Sequence, residues 1–485
     1  MESAHHTEPY GIDFGTRNTA AECSARLTSS DGSTIPSAVA YDSLTSEIRF
    51  GHEALGLLRI QDPEVQQRWS IATSFKTALE SDMPFVRTQR GTKTAAQVLS
   101  DYLRCLVDHA AKKRLPELSS AVLSIPVGFG AKSRRRLLEA ARGAGIEPRG
   151  VVSESTAAYL KILHQLGPAE RVAVVDWGAG TLDVSILRIT GTTSSTAVIE
   201  ERACKGSTEA GDCIDMAIYE ALVARLRAAG TPVRPVSEIS REHLRSMLHA
   251  CENAKIALSD SQNRRTSTDL VFRTFAHGDP AKFTLTADDL REISAVARKR
   301  VFEVVFDAIQ SAGLSKGQLD RVIFVGGCTG LLGFDEDARR HFGHAAVFPN
   351  SPEWVVAAGA LEVAKGYASY RCLQNFGCVL DDGSFLSLIQ ASEFNGREAT
   401  ITVAATESTE LASLVFAERQ DDRVATCGAL GVPLLGHIGE PVHIRTTLRH
   451  DLTVGIDAWS HCSGRPEDVR SLELLNTRFQ FEVRS

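Results

Sequence analysis

The sequence predicts an α/β fold for most of the chain, followed by a smaller, mostly-β domain. Short apolar runs alternate with amphipathic segments through the first three quarters of the sequence, which is typical of α/β folds. From Phe385 onward, stretches with strand spacing are separated by polar turns instead. The length of 485 residues also exceeds that of a typical single domain. We therefore expect one domain over residues 1–370 and a second, β-rich domain over residues 371–485.

Buried strands are predicted where four apolar runs of the first domain end in turns of small residues. These runs are Tyr10–Thr16, Ala121–Pro126, Val172–Thr181 and Val322–Gly327. Segments with the apolar spacing of helices lie between them. The predicted helices are Lys132–Ala144, Glu154–Leu163, Asp212–Ala229, His243–Leu258 and Thr286–Ala312. In the last of these, we expect Thr286 to cap the helix, with Asp288 and Asp289 near the positive end of its dipole.

Strands of the second domain are predicted from apolar stretches between polar turns. They are Phe385–Gln390, Thr400–Ala404, Leu411–Ala417, Val442–Leu448, Leu452–Trp459 and Arg478–Val483. The last alternates most clearly, since Phe479, Phe481 and Val483 share one face. These strands predict a small β structure behind the α/β domain.

Composition argues against several functional classes. With 53 basic and 60 acidic side chains the net charge is -7, so we expect no nucleic acid among the partners. No apolar run reaches the roughly 18 residues of a membrane span, and the polar N-terminus lacks the apolar core of a signal peptide. The ten cysteines include no CxxC pair, which disfavours a zinc site. We therefore expect a cytoplasmic protein with no membrane partner.

An internal repeat carries the first functional prediction. A strand, an aspartate and a glycine-containing turn that ends in threonine occur at Asp13–Thr16 and again at Asp176–Thr181. A strand-like run follows each turn, so each copy predicts a β-hairpin with a carboxylate at its tip. One such turn is usually only a turn. Two copies, together with the Gly326–Gly327 turn, favour phosphate binding.

The chemistry of these residue types explains why they favour phosphate. Glycines leave backbone N–H groups accessible to phosphate oxygens. A carboxylate beside each turn can hold Mg²⁺, mostly through water, because Mg²⁺ keeps much of its hydration shell. The metal then offsets charge on a transferred phosphoryl group. The hydroxyls of Thr16 and Thr181 are expected to reach phosphate or the attacking water.

Further motifs follow in a fixed order along the chain. The ordered set is Gly11–Thr16, Ser124–Pro126, Val152–Ala158, Asp176–Leu187, Glu252–Lys255 with Ser259, Val325–Thr329 and Pro352–Ala360. This set resembles the DnaK-type heat shock protein 70 (Hsp70) chaperones, which belong to the actin-like ATPase superfamily. The resemblance implies a two-lobed, ribonuclease H-like nucleotide-binding domain that uses ATP or ADP with Mg²⁺. Actin and hexokinases share the phosphate loops, whereas the helix bearing Glu252, Lys255 and Ser259 favours the chaperone branch.

The resemblance also implies roles for individual residues. Asp13 and Asp176 would organise the Mg²⁺ shell, Lys76 would lie beside the γ-phosphate, and Glu154 would orient water. Lys76, Glu154, Thr181 and Asp183 together would form the hydrolytic site. Nucleotide contacts are implied for Gly15, Thr16, Arg17, Gly178, Gly180, Glu252, Lys255, Ser259, Gly326, Gly327 and Glu353. Taken alone, Lys76 would be a solvated lysine and Glu154 an ordinary helix acid, so only the pattern supports these roles.

Four positions depart from the family pattern. Ile256 and Gly330 stand where the family usually has two arginines that sandwich adenine, and a stacked guanidinium contributes roughly 0.5–2 kcal/mol. Arg17 stands in the first phosphate loop, where it would either add a positive contact to phosphate or block the loop. Ala179 replaces a loop glycine, which is unfavourable if that position needs a positive φ. We therefore expect ATP binding with weak hydrolysis.

The second domain resembles the peptide-binding β-sandwich of the same family in strand rhythm and turn placement, from Leu430 to Ala458. The acidic, leucine-rich linker of the family is not evident, and we expect no helical lid because the chain ends at Ser485. This domain is expected to bind a protein client or a dedicated partner, with a co-chaperone as a further partner.

The leading hypothesis is an ATP-binding, Hsp70-like chaperone or chaperone-derived regulator. Weak Mg²⁺-dependent ATP hydrolysis would move the lobes, and the β domain would respond to that motion. The alternative is a nucleotide-gated or catalytically weak protein-interaction scaffold. A small-molecule kinase of the same superfamily is less favoured, because the sequence shows no sugar-binding acid loop and the β domain would be unexplained.

Overall fold

The computed structural model describes most of the chain. The described residues are 8–58, 60, 62–126, 129–166, 169–193, 196–230, 233, 238–239, 241–260, 265–272, 281–366, 368–391, 393, 396–420, 423–460, 469–474 and 479–483. The chain divides into two compact units, Met1–Ile189 with Glu201–Lys365, and Thr190–Glu200 with Gly366–Ser485. The first unit mixes helices and sheets and the second is built of strands, which confirms the predicted fold class. No helix in the described ranges is long and apolar enough to span a membrane.

The first unit contains the helices and the strands up to Val347. Its helices are α1 (His52–Leu58), α2 (Pro63–Arg68), α3 (Ala95–Lys112), α4 (Ala131–Gly143), α5 (Glu154–Leu166), α6 (Gly211–Ala228), α7 (Arg241–Ser259), α8 (Ala287–Ser311), α9 (Phe334–Phe342) and α10 (Val355–Ala364). Its strands are β1 (Tyr10–Phe14), β2 (Asn18–Glu22), β3 (Ile35–Pro36), β4 (Ala38–Asp42), β5 (Ile48–Phe50), β6 (Trp69–Thr73), β7 (Val86–Thr88), β8 (Gly91–Lys93), β9 (Ser120–Ile125), β10 (Glu147–Ser153), β11 (Arg171–Trp177), β12 (Leu182–Thr193), β13 (Thr196–Ser207), β14 (Ser267–Phe272), β15 (Ala281–Thr286), β16 (Arg321–Val325) and β17 (Ala346–Val347). Strands β12 and β13 extend into the second unit.

Two sheets of the first unit repeat the same arrangement. In the sheet ordered β10-β9-β1-β2-β3, β1 pairs antiparallel with β2 and parallel with β9. In the other sheet, β11 pairs antiparallel with β12 and parallel with β16. We call the part around the first sheet, up to Leu166, the first lobe. The part from Arg171 to Val347, apart from residues 190–200, is the second lobe.

The predicted strands and helices of the first unit are observed, with ends that differ by a few residues. Thr286 caps α8 as expected, because its side chain accepts a hydrogen bond from the Asp289 backbone N–H. The largest element missing from the prediction is α3, which begins with a capping box between Thr94 and Gln97. Its apolar face packs into the first lobe, where Leu99, Tyr102 and Leu106 are among its buried residues.

The second unit consists of two packed four-stranded sheets and a further strand pair. Its strands are β18 (Ala368–Cys372), β19 (Asn375–Val379), β20 (Phe385–Ile389), β21 (Glu398–Ala404), β22 (Leu411–Gln420), β23 (Arg423–Pro433), β24 (Pro441–Leu448), β25 (Val454–Ser460), β26 (Arg470–Leu474) and β27 (Phe479–Val483). The sheets run β20-β19-β22-β23 and β21-β24-β25-β26. Phe376, Phe416, Ile444 and Ile456 are among the residues that form the shared core.

Strand β27 joins two segments that are distant in sequence. It pairs with β18 along residues 368–372, and its Phe481 and Glu482 pair with Ile199 and Val198. This pairing explains why Thr190–Glu200 groups with the second unit. The sequence predicts a division after residue 370, whereas the compact units divide after Lys365. It does not predict that Thr190–Glu200 belongs to the second unit. The predicted first residue of the last strand, Arg478, lies outside the described residues.

Helices α5 and α10 cross in close backbone contact. A Cβ atom placed on Gly359 of α10 would lie 1.8 Å from the Ala157 carbonyl oxygen of α5. A Cβ on Gly11 of β1 would lie 2.1 Å from the Ala357 carbonyl oxygen. Both glycines therefore allow the neighbouring backbones to approach more closely than any side chain would permit.

We predict that Gly359→Ala lowers the free energy of unfolding by about 1–3 kcal/mol, because the added methyl group forces the helices apart. Gly56→Ala is the matched control, since Gly56 is also helical but has no atom within 4 Å of the position that a Cβ would take. That control should stabilise the chain by about 0.5–1 kcal/mol through the higher helix propensity of alanine. Urea denaturation checks both, and equal effects of the two substitutions would contradict the crossing geometry.

Candidate functional site

A cavity of about 620 Å³ opens between the two lobes of the first unit. It is lined by the β1–β2 and β11–β12 turns, the turn after β16, α7 and the start of α10. The predicted site residues that line it are Asp13, Gly15, Thr16, Arg17, Lys76, Glu154, Asp176, Gly178, Gly180, Thr181, Glu252, Lys255, Ser259, Gly326, Gly327 and Glu353. Asp183 is the exception. It is buried in β12 and does not reach the cavity wall.

The first turn is held by hydrogen bonds from a neighbouring strand connection. The Gly15 N–H donates to the Asn18 carbonyl oxygen at 3.0 Å and closes the turn. Ser37 supports it from outside, because its hydroxyl donates to the Gly15 carbonyl at 2.8 Å and its N–H to the Arg17 carbonyl at 2.7 Å. Asp13 is oriented by Ser124, whose hydroxyl donates to Oδ1 at 2.6 Å.

The second turn is anchored to the start of α6. Within the turn, the Gly178 N–H donates to the Thr181 carbonyl at 2.9 Å. The Gly178 and Ala179 carbonyls accept hydrogen bonds from the N–H groups of Gly211 and Asp212, at 3.2 and 2.7 Å. Ala179 is absent from the described non-glycine residues that have a positive φ. The replacement of glycine at this position is therefore compatible with the turn.

The two turns face each other at van der Waals distance. A Cβ atom on Gly180 would lie 2.6 Å from Cγ2 of Thr16. Only a residue without a side chain allows this approach. The contact brings the two hairpin tips together and places Asp13 and Asp176 in the wall of the same cavity.

Gly326 sits behind Asp176 in a conformation reserved for glycine. Its φ is +87°, and a Cβ there would lie 2.4 Å from Oδ1 of Asp176 and 2.6 Å from the Trp177 carbonyl oxygen. At Gly327, the next residue, a Cβ would have no atom within 4 Å. The first glycine is therefore required by the fold, whereas the second leaves open space beside the cavity.

Carboxylates outnumber cations at the base of the cavity. Lys76 and Glu154 form a buried ion pair, with 2.8 Å between Nζ and Oε1. Burial, followed by the charge of Glu154, raises the pKa of Asp13 to about 6 and that of Asp183 to about 7. The same causes, in the same order, raise the pKa of Asp176 well above its usual value. Among the described residues, four acidic groups at the base of the cavity thus share the ammonium of Lys76.

This charge excess fits a divalent cation. Asp183 has a buried oxygen, Oδ2, that accepts no hydrogen bond in the described structure. Within the described ranges, no three acidic, histidine or cysteine side chains are grouped closely enough to cage a metal directly. Mg²⁺ does not need such a cage, because it retains several water ligands and binds through one or two carboxylates. Asp13 and Asp176 are the carboxylates that could hold it from the cavity wall.

Helix α7 supplies the polar residues of the opposite wall. Lys255 lies 2.7 Å from Oδ1 of Asp215 and donates to the Gly211 carbonyl at 3.1 Å. Nδ1 of His249 lies 3.1 Å from Oε2 of Glu252. These contacts hold the Lys255 and Glu252 side chains in place on one face of the helix, facing the cavity.

Comparison with known proteins accords with this geometry. The family model described as Hsp70 protein matches residues 53–410, which is most of the chain. The chain belongs to the Hsp70 family. A similar relative is the chaperone protein HscA homolog of Vibrio atlanticus (strain LGP32), which is 29% identical over 374 residues. That match covers 72% of this chain and 56% of the relative, so the chain spans little more than half of the relative's length.

Three residues that line the cavity, Ile256, Gly330 and Arg17, differ from the pattern expected of the Hsp70 family. Ile256 is 58% exposed and lines the cavity from α7. Gly330 also lines it, and a Cβ at Gly330 would have no atom within 4 Å. Arg17 lines the cavity as well, but its Nε and Nη2 donate to Oδ1 of Asp212, at 3.0 and 2.8 Å. The loop therefore remains open beside this arginine rather than being filled by it.

Sequence reasoning missed the residues that support the site from behind. Ser124 is predicted only as part of a motif, and Asp212, Asp215 and His249 have no predicted role. Asp212 and Ser124 act on site residues that are distant in sequence, Arg17 and Asp13 respectively. No local spacing signals such contacts. His249 is the one local cue, because it lies three positions before Glu252 and therefore on the same face of a helix.

We predict that Gly326→Ala lowers the free energy of unfolding by roughly 2–4 kcal/mol, because alanine is strained at this φ and its methyl group meets Asp176. Gly327→Ala is the control and should change the free energy of unfolding little, since its Cβ enters open space. Chemical denaturation of both variants checks the difference. Equal stability of the two would contradict the packing described around Asp176.

Proposed function

We propose that this Hsp70-family chain binds ATP and ADP with Mg²⁺ in the cavity between its lobes, hydrolyses ATP slowly, and uses the resulting lobe motion as a chaperone or chaperone-derived regulator. The observation that carries the proposal is the contact of the two acid-tipped hairpins, Gly180 against Thr16, on the wall of one cavity. A volume of about 620 Å³ is within the usual range for ligand sites.

The carboxylate cluster supports a hydrolytic role. When bound, Mg²⁺ would neutralise phosphate charge between Asp13 and Asp176. Lys76 would present its ammonium to the terminal phosphate, and its ion pair with Glu154 keeps both side chains in place. Glu154 and Thr181 would orient the attacking water. Asp183, which lies behind the wall, would act through its charge on these groups rather than by direct contact.

Nucleotide contacts are proposed for the turns and for α7. The backbone of Gly15, Thr16, Gly178, Gly180, Gly326 and Gly327 would approach the phosphates. Glu252, Lys255 and Ser259 would hold the ribose and base, with Glu353 on the facing side. Because Ile256 and Gly330 offer no guanidinium, the base would be held more weakly than by a pair of stacked arginines.

The second unit would bind a protein. Its exposed apolar side chains include Leu411 of β22, Val424 of β23, and Leu435 and Ile438 in the connection between β23 and β24. Side chains of this kind would mark a protein contact where they form one continuous patch. A client or a dedicated partner would bind there, with a co-chaperone as a further partner. The Vibrio atlanticus relative is named as a chaperone protein, which is consistent with such partners.

A protein-interaction scaffold with weak or no hydrolysis is the second candidate. It is favoured by the exposed Ile256, the empty side-chain position at Gly330, and the pairing of Arg17 with Asp212. These features weaken nucleotide contacts without disturbing the fold. The two candidates differ in whether the carboxylate cluster turns over ATP.

We predict that Asp13→Asn and Lys76→Ala each reduce Mg²⁺-dependent phosphate release from ATP by about a hundredfold or more, because each removes a charge from the reacting cluster. Release of inorganic phosphate in single-turnover assays measures this effect. Lys132→Ala is the control, since Lys132 is an exposed lysine of the first lobe paired with Asp82 outside the cavity. Thermal melting shows that each variant is folded. Unchanged turnover in both site variants would overturn the hydrolytic proposal.

We also predict that Ile256→Arg combined with Gly330→Arg tightens ATP binding by about ten- to a thousandfold, because two guanidinium groups would stack on the base. Space exists for both, since Ile256 is exposed and the position at Gly330 is open. Val296→Arg adds one guanidinium at an exposed apolar site on α8, outside the cavity, and is the control for an added arginine that cannot reach the base. Calorimetric titration measures the affinities. Equal affinity of the double variant and the control would show that the base does not lie between these positions.

A further inference from the structure

An ion pair joins the two lobes beside the proposed nucleotide cavity. Arg17 belongs to the β1–β2 turn of the first lobe, and Asp212 is the second residue of α6 in the second lobe. The guanidinium donates twice to one carboxylate oxygen, from Nε at 3.0 Å and from Nη2 at 2.8 Å. The side chains are 24% and 37% exposed. The pair is therefore accessible to salt without being freely solvated.

Each end of the pair is anchored to one of the two turns. The Arg17 carbonyl accepts the Ser37 N–H, which also ties down the first turn. The Asp212 N–H donates to the Ala179 carbonyl of the second turn. Because the two backbones are held to opposite turns, moving the turns apart pulls on the ion pair.

The pair does not fill the cavity. Arg17 lines the wall, whereas Asp212 is outside the set of lining residues, and about 620 Å³ remains with the pair formed. The pair and a nucleotide can therefore be present together. Burial opposes the charge of Arg17, but the carboxylates of Glu252, Asp212 and Asp215 outweigh it and raise the pKa of Arg17, so its guanidinium is surrounded by acidic partners.

We propose that the Arg17–Asp212 pair is a latch between the lobes that limits the rate of nucleotide release. The proposal rests on nucleotide binding in this cavity. Nucleotide would enter or leave when the pair breaks and would be retained when it re-forms. Other contacts between the lobes would persist when the latch is broken, among them Nη1 of Arg245 to the Ile71 carbonyl at 3.0 Å and the hydroxyl pair of Ser155 and Ser185 at 2.6 Å. The effect of losing the latch is therefore partial.

The decisive variant is Asp212→Asn, because Asp212 does not line the cavity and is not expected to contact nucleotide. The test measures dissociation of a fluorescent ADP analogue by stopped flow, at low and high salt. A latch predicts about three- to tenfold faster release from Asp212→Asn and from Arg17→Ala. The wild type should release faster as salt rises, and Asp212→Asn should lose that dependence.

Arg225→Ala is the matched control. Arg225 pairs with Asp289 across two helices of the same lobe, so its loss removes an arginine ion pair without uncoupling the lobes. Its release rate should equal that of the wild type. If Arg17 were only a phosphate contact, Asp212→Asn would slow release by freeing the guanidinium for phosphate. Slower or unchanged release from Asp212→Asn would overturn the latch.

Hydrogen exchange without nucleotide separates this proposal from the one it rests on. A latch predicts faster amide exchange at residues 15–18 and 178–181 in Asp212→Asn than in the wild type or Arg225→Ala. If the wild type fails to bind the ADP analogue, the proposed function fails, and exchange then tests only whether the ion pair holds the two turns together. If the analogue binds but Asp212→Asn releases it no faster than the wild type, the latch fails alone.

Discussion

The contact between two hairpin turns is the constraint on which the rest of this structure depends. Gly180 approaches Thr16 so closely that no side chain would fit between them. This contact places buried carboxylates from two lobes around a single lysine. Burial and mutual repulsion raise the pKa values of Asp13 and Asp183 to about 6 and 7, which is the expected state of acidic groups without a compensating cation. The site is thus built to accept positive charge together with an anionic ligand.

The surrounding fold serves to hold this charged cluster in place. The two lobes repeat one arrangement, an antiparallel hairpin beside a parallel strand, so their aspartates occupy matching positions at the ends of β1 and β11. Glycines act at the points of closest approach. Gly359 lets the crossing helices meet, and Gly326 lets the turn after β16 pass behind Asp176. Loss of such close packing costs more than loss of a surface contact, because interiors relax only partly.

Sequence patterns were sufficient for the repeated hairpins, because an aspartate followed by glycines at the end of an apolar run is a local signal. They were also sufficient for the amphipathic helices and for most strands of the second unit. Lys76 and Glu154 carried no signal of their own and were identified only through resemblance to Hsp70 chaperones. Their ion pair spans 78 positions of sequence, so no local pattern could reveal it.

Other features were beyond sequence reasoning for the same reason. The pairing of Arg17 with Asp212 spans 195 positions, and the bond from Ser124 to Asp13 spans 111. Strand β23 was missed because its residues are mostly small, and it is stabilised by its partner β22 rather than by its own composition.

The most direct test of the central interpretation is calorimetric titration of the wild-type chain with ATP, in Mg²⁺ and in a chelator. Binding at roughly tens of micromolar or tighter in Mg²⁺, weakened by the chelator, is the expected result. No heat of binding in that range, or equal affinity in the two buffers, would contradict a cavity built for a metal–nucleotide complex.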